Sequence, residues 1–189
     1  MQRRAAGGSR RRRGPDGPLP GGAAADMPDA DPETVARAIV LRRLTAAPRS
    51  RADLAATLAE RDVPDDVAKR VLDRFEELAL VDDAAYAEML VRSRRATRGL
   101  ARSALARELR QHGIAEQVAD AALAGLDPDD ELDTARELVQ RRLSATRGLD
   151  RPARVRRLAA MLARKGYPPG LCLRVVTEVL GAEIDENSV

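Results

Sequence analysis

Apolar residues recur at spacings of three and four along most of the chain, the period of helices that bury one face. Val35, Ala38 and Ile39 open the pattern behind Asp31-Pro32-Glu33, where Asp31 suits a helix N-cap and Pro32 the first helical position. This first helix is predicted to run to about Leu44, ahead of the break at Ala47-Pro48-Arg49-Ser50. Leu54 and Leu58 mark a second helix, Val63-Pro64-Asp65 restarts the chain, and Val67, Val71, Leu72, Phe75 and Leu78 line a third. Leu80-Val81-Asp82-Asp83 ends that unit and caps the next.

The pattern then repeats. Leu54, Leu58, Val63, Val67 and Val71 return 51 positions later as Leu105, Leu109, Ile114, Val118 and Ala122. They return again after a further 53 positions as Leu158, Leu162, Tyr167, Leu171 and Val175. The break before the third helix recurs as Arg61-Asp62-Val63, His112-Gly113-Ile114 and Lys165-Gly166-Tyr167. Ala96-Thr97-Arg98-Gly99-Leu100 recurs unchanged as Ala145-Thr146-Arg147-Gly148-Leu149, displaced by 49. The difference between 49 and 53 places about four extra residues in the third unit's second helix or its entrance, around Asp150 to Arg154. Gly113 and Gly166 fall where a helix must stop, and glycine takes the left-handed C′ conformation without a Cβ penalty. Asp127-Pro128 opens the third unit as Asp31-Pro32 opens the first.

The expected fold is all-α, with three tandem three-helix, helix-turn-helix-like repeats over residues 31–82, 83–126 and 127–183 forming an elongated curved rod. A disordered Arg/Gly/Pro-rich tail is expected over 1–30 and a flexible C-terminus over 184–189. Units of about 45–50 residues have meagre cores, so neighbours are expected to support one another.

Composition narrows the chemistry. Cys172 and His112 are the only cysteine and histidine among 189 residues, which excludes an intramolecular disulfide and leaves too few ligands for a structural zinc site. Cys172 reads as a buried structural thiol and His112 as a contact to a helix C-terminus. No P-loop, Gly-rich dinucleotide turn or paired-carboxylate motif stands out, so neither an enzyme nor a cofactor or metal is expected. No run of about 18 apolar residues is present and no apolar stretch follows the N-terminal arginines, which points to a soluble cytoplasmic protein, expected to be a monomer.

Net charge is only +3, but its distribution is uneven. From Arg92 to Arg110 the chain carries Arg92, Arg94, Arg95, Arg98, Arg102, Arg107 and Arg110 against Glu108 alone. The third unit repeats this with Arg141, Arg142, Arg147, Arg151, Arg154, Arg156, Arg157, Arg164 and Lys165. The first unit is acidic. At about 100° per residue, Arg107 and Arg110 point away from Leu105 and Leu109, and Arg92 and Arg95 away from Tyr86, Met89 and Leu90. Such faces are either solvated helix surface or contacts to phosphate or an acidic protein. Sequence-specific operator reading is disfavoured, because the predicted helix after the second turn, Ala115 to Leu126, has no basic residue. A single-strand stacking platform is disfavoured because Phe75, Tyr86 and Tyr167 all fall on apolar stripes.

Tyr86-Ala87 through Arg92-Ser93-Arg94, then Arg98-Gly99 and Glu108-Leu109-Arg110-Gln111-His112-Gly113-Ile114, resemble the RecX family in sequence and in repeat order. The resemblance covers about residues 33–182, although Ala101 and Ser103 stand where family members often carry a further basic pair. It implies a non-enzymatic regulator that lies in the groove of the RecA–DNA filament and restrains strand exchange, ATP hydrolysis and co-protease action, in recombination, DNA repair and the SOS response. Arg92, Arg95, Arg98, Arg107, Arg110, Arg147, Arg156 and Arg157 are then the leading filament or DNA contacts. A non-specific nucleic-acid-binding helical module is the alternative, and a scaffold for another acidic protein a third.

Overall fold

The computed structural model describes residues 31–186, with side chains as far as Glu183. The expected basic tail lies outside the described residues. Among these the chain is all helical: α1 (Pro32–Ala46), α2 (Arg51–Ala59), α3 (Asp65–Glu77), α4 (Asp83–Arg98), α5 (Arg102–Gln111), α6 (Glu116–Ala124), α7 (Pro128–Leu143), a 3-10 turn (Ser144–Thr146), α8 (Arg151–Arg164) and α9 (Pro169–Glu186). Each of the three units opens on an aspartate cap. Asp31 accepts from the amides of Glu33 and Thr34, Asp82 from Ala84 and Ala85, and Asp127 from Asp129.

Helices pack within their own unit, so three separate cores form in a row. Leu54, Leu58, Val67, Val71, Leu72 and Phe75 build the first, Leu105, Leu109, Ile114 and Leu123 the centre of the second, and Leu158, Leu162, Tyr167, Val175 and Val176 the third. One further repeated position is buried in every unit and is small in the first two: Ala68, Ala119 and Cys172. Truncating a fully buried leucine such as Leu105 to alanine in cores this small costs about 2–5 kcal/mol.

The units are joined by the same device twice. At the first joint the Ser50 hydroxyl donates to the carbonyl of His112 and the Arg51 amide donates to Asp83. At the second, Ser103 donates to the carbonyl of Gly166 and the Arg102 amide donates to Glu131. An acid from the first turns of one unit thus caps the second helix of the unit before it. This matters most for α5, whose own N-cap residue, Ala101, has no side-chain acceptor. Helix α8 is capped by its own Asp150.

The glycines at the breaks follow from these joints. Gly113 (φ 69°) and Gly166 (φ 92°) are left-handed, and a Cβ on them would stand 2.3 Å from Ala52 Cβ and 2.7 Å from the Ala104 amide nitrogen. Asp62 holds the same left-handed position in the first unit, at φ 57°, where no earlier unit packs among the described residues and a side chain is tolerated.

The identical pentapeptides do not behave alike. Gly99 is the left-handed cap of α4 and Leu100 is buried, whereas Ala145 and Thr146 lie in the 3-10 turn and Leu149 is exposed. The first copy is held from the next unit: Ala101 donates to the carbonyl of Lys165, and the Tyr167 hydroxyl donates to that of Gly99 at 3.2 Å. The second copy has no such neighbour. The four extra residues lie in α8, which has 14 residues against 10 in α5. Helix α9 continues to Glu186, past the boundary expected at 183, and Glu183 at that boundary pairs with Arg154.

Candidate functional site

Arg107 and Arg110 stand on α5 opposite the buried Leu105 and Leu109, exposed and without an acid partner among the described residues. The rest of the second unit's arginines are partly engaged. Glu108, itself largely buried, accepts from Arg94 and Arg98, both at 2.6 Å. Arg98 is therefore partly neutralised. Arg95 does face away from its own core, but it turns into the joint with the third unit, 4.0 Å from Asp130, rather than into solvent. Arg92 is exposed and meets Glu88 only at 3.4 Å, the kind of surface pair that contributes little. Arg102 is structural, donating from its guanidinium to the Leu123 carbonyl.

In the third unit Arg154 is half-buried against Glu183, and exposed Arg147 stands 3.6 Å from the same carboxylate. Arg147 lines the cleft between α7 and α9 together with Arg136 and Glu178. Arg156 and Arg157 are exposed on α8 and have no acid partner among the described residues. Arg157 does not stand alone: with Arg142 from the last turn of α7 and Arg164 from the last turn of α8 it lines a cleft of about 240 Å³ floored by Leu158 and Met161. Arg142 and Arg164 were not among the leading sequence candidates. Arg157 and Arg164, seven apart on one helix, were recoverable as a pair; their meeting with Arg142 is a tertiary event.

Lys165 ties the two basic regions together by donating to the carbonyl of Arg98 across the joint. Burial holds its amine below the ordinary lysine value, and the nearby Arg98, Arg141 and Arg142 lower it further. Lys165 thus brings Arg98 at the end of α4 near Arg141 and Arg142 at the end of α7.

His112 does not contact a helix C-terminus through its ring. Its Nδ1 stands 2.9 Å from Asp53 Oδ2 in the first turn of α2, and the ring meets Tyr86 edge-on, so the imidazole is part of the first joint. Cys172 is buried, its thiol raised by burial and donating to the Tyr167 carbonyl. Among the described residues no group of three His, Cys, Asp or Glu side chains could hold a metal ion, and no helix is long and apolar enough to cross a membrane.

These features define a tandem array of three-helix units whose cationic faces lie on the helices before each turn. The chain belongs to the RecX family. Models of the first, second and third three-helix domains of RecX match residues 36–75, 82–123 and 129–176. A curated relative from Thermobifida fusca, "Regulatory protein RecX", is 56% identical over 170 residues, covering 90% of each chain. Another of that name from Streptomyces coelicolor is 54% identical over 160 residues, covering 85% of each. A crystal structure of regulatory protein RecX superposes with a TM-score of 0.67 at 27% identity, covering 75% of this chain and 70% of that one.

Proposed function

We propose that this chain is a non-enzymatic regulator of the RecA recombinase that binds the RecA–DNA filament in its groove and restrains strand exchange, ATP hydrolysis and co-protease action. The observation that carries this reading is that, in two successive units, the helix before the turn carries exposed cations with no acid partner among the described residues, Arg107 and Arg110 on α5 and Arg156 and Arg157 on α8. Two such basic helices on one chain suit a target that itself repeats. A helical nucleoprotein offers both the repeat and the negative charge.

Units linked end to end through cap bonds, ion pairs and packed side chains at each joint bridge successive protomers of such a filament. Binding one filament state more tightly than another shifts the population toward it, by no more than the difference in affinity. The protein acts as a monomer in the cytoplasm in this account. Reading of base sequence is disfavoured because α6, the helix after the second turn, carries Glu116 and Asp120 and no basic residue.

The test is RecA strand exchange in the presence of wild type or of Arg107→Glu/Arg110→Glu. Inhibition weakens in the charge-reversed variant if α5 presents a contact face. Unchanged inhibition overturns the assignment of that face.

A further inference from the structure

We propose that the cleft between the end of α7, the 3-10 turn and α8 is a phosphodiester site, which takes the backbone of a nucleic-acid strand directly through Arg142, Arg157 and Arg164. The inference rests on the functional reading above and assigns nucleic acid, rather than recombinase, to this part of the basic surface.

Three arginines line one concavity of about 240 Å³, and no acidic residue lines it with them. Four other arginines of the same unit are matched with acids: Arg136 with Glu178 and Asp133, Arg154 and Arg147 with Glu183, Arg141 with Glu137. Arg142, Arg157 and Arg164 have no such partner among the described residues. An anion in the cleft would meet three cations with no carboxylate competing for them. Leu158, Met161 and Ala145 supply an apolar wall, which strengthens the field of the charges in front of it.

Size and shape favour a strand over other anions. The concavity is smaller than the roughly 300–1,000 Å³ typical of small-molecule pockets, and suits one or two charged groups. Guanidinium forks match phosphate oxygens, and a flexible backbone can lower successive phosphates into a recess that a folded acidic surface would bridge. Arg141, Lys165 and Arg98 continue the positive surface toward the second unit, as a path for further phosphates. No aromatic side chain lines the cleft, so bases do not stack there and binding is independent of sequence.

The test uses the full chain and a fluorescein-labelled oligothymidylate, with anisotropy followed across a salt series. Arg142→Gln/Arg157→Gln/Arg164→Gln is expected to bind about tenfold or more weakly at low salt. Its salt slope is expected to fall by at least about 0.7, the contribution of one single-strand phosphate. Arg142→Lys/Arg157→Lys/Arg164→Lys keeps most of the slope, because the slope counts charge. Arg42→Gln/Arg43→Gln/Arg61→Gln, which removes the same charge from the first unit, leaves affinity close to wild type. Far-UV circular dichroism and Tm verify that each variant is folded; should the glutamine variant unfold, the lysine variant against wild type in the presence of free inorganic phosphate supplies the same reading. Unchanged affinity and slope in the glutamine variant overturns the proposal, as does polyglutamate binding that matches the oligonucleotide and is lost with the same three arginines. A variant that binds naked strand normally yet still inhibits strand exchange overturns this inference alone and leaves the regulatory reading standing.

Discussion

His112 Nδ1 and Asp53 Oδ2 face each other at 2.9 Å across the joint between the first and second units, 59 residues apart in sequence. Both side chains are about 30% exposed or less, so solvent screens the pair only in part. A double-mutant cycle on His112→Ala and Asp53→Ala is expected to give a coupling of about 1 kcal/mol or less, positive in sign. Chemical denaturation of the four proteins measures it. Zero coupling would show that this ion pair adds nothing to the joint, which Ser50, Asp83 and the packing of Gly113 on Ala52 would then hold.

Gly113→Ala and Asp62→Gly probe the same left-handed position with and without a preceding unit. The alanine is expected to cost about 2 kcal/mol or more, since it meets both the backbone penalty and the close approach of Ala52. Asp62→Gly is expected to change stability by less than about 1 kcal/mol. Equal effects at the two positions would show that packing between units contributes nothing there.

Gly99→Ala and Gly148→Ala make the sharpest comparison, because the flanking residues are identical. Gly99 is left-handed and a Cβ would stand 3.0 Å from a Leu138 methyl, so alanine is expected to cost about 1 kcal/mol. Gly148 has open space around it and no positive φ, and alanine there is expected to be neutral or to stabilise by up to about 1 kcal/mol. Thermal unfolding of the two variants reads out the difference.

Tyr167 gives an alkaline signature. Burial, with Glu131 nearby, pushes its phenol up from 10 to about 12. The native state therefore holds the proton after the unfolded chain has lost it. The stabilisation is complete below pH 10 and is lost as pH rises toward 12, by up to about 3 kcal/mol. Tyr167→Phe removes this dependence, at a cost of about 1 kcal/mol from the unpaired Gly99 carbonyl. Tyrosinate absorbance that titrates near pH 10 for both tyrosines would contradict the assignment.

Much of the fold was legible in the sequence because the units repeat one apolar code, from Leu54 to Leu105 to Leu158. Spacing also located the extra turn of α8. What spacing could not convey was context: Thr97 and Thr146 share a pentapeptide, yet only Thr146 is buried, because the first copy continues α4 while the second turns through a 3-10 segment in which Thr146 bonds Leu143 and Arg154. The candidate surface was legible as charge but not as geometry. Arg98 and Arg94 share Glu108, and Arg95 turns toward Asp130, pairings set by helix packing and by a joint that local periodicity does not encode. The cleft of Arg142, Arg157 and Arg164 was hidden for the same reason.

The central claim is recognition of an assembled filament, and a pull-down with this chain as bait tests it most directly. RecA alone, single-stranded DNA alone and the RecA–DNA filament are offered in parallel at physiological salt. The account predicts strong retention of the filament and weak retention of either component. Equal retention of RecA or DNA by itself, or failure to retain the filament, would contradict it.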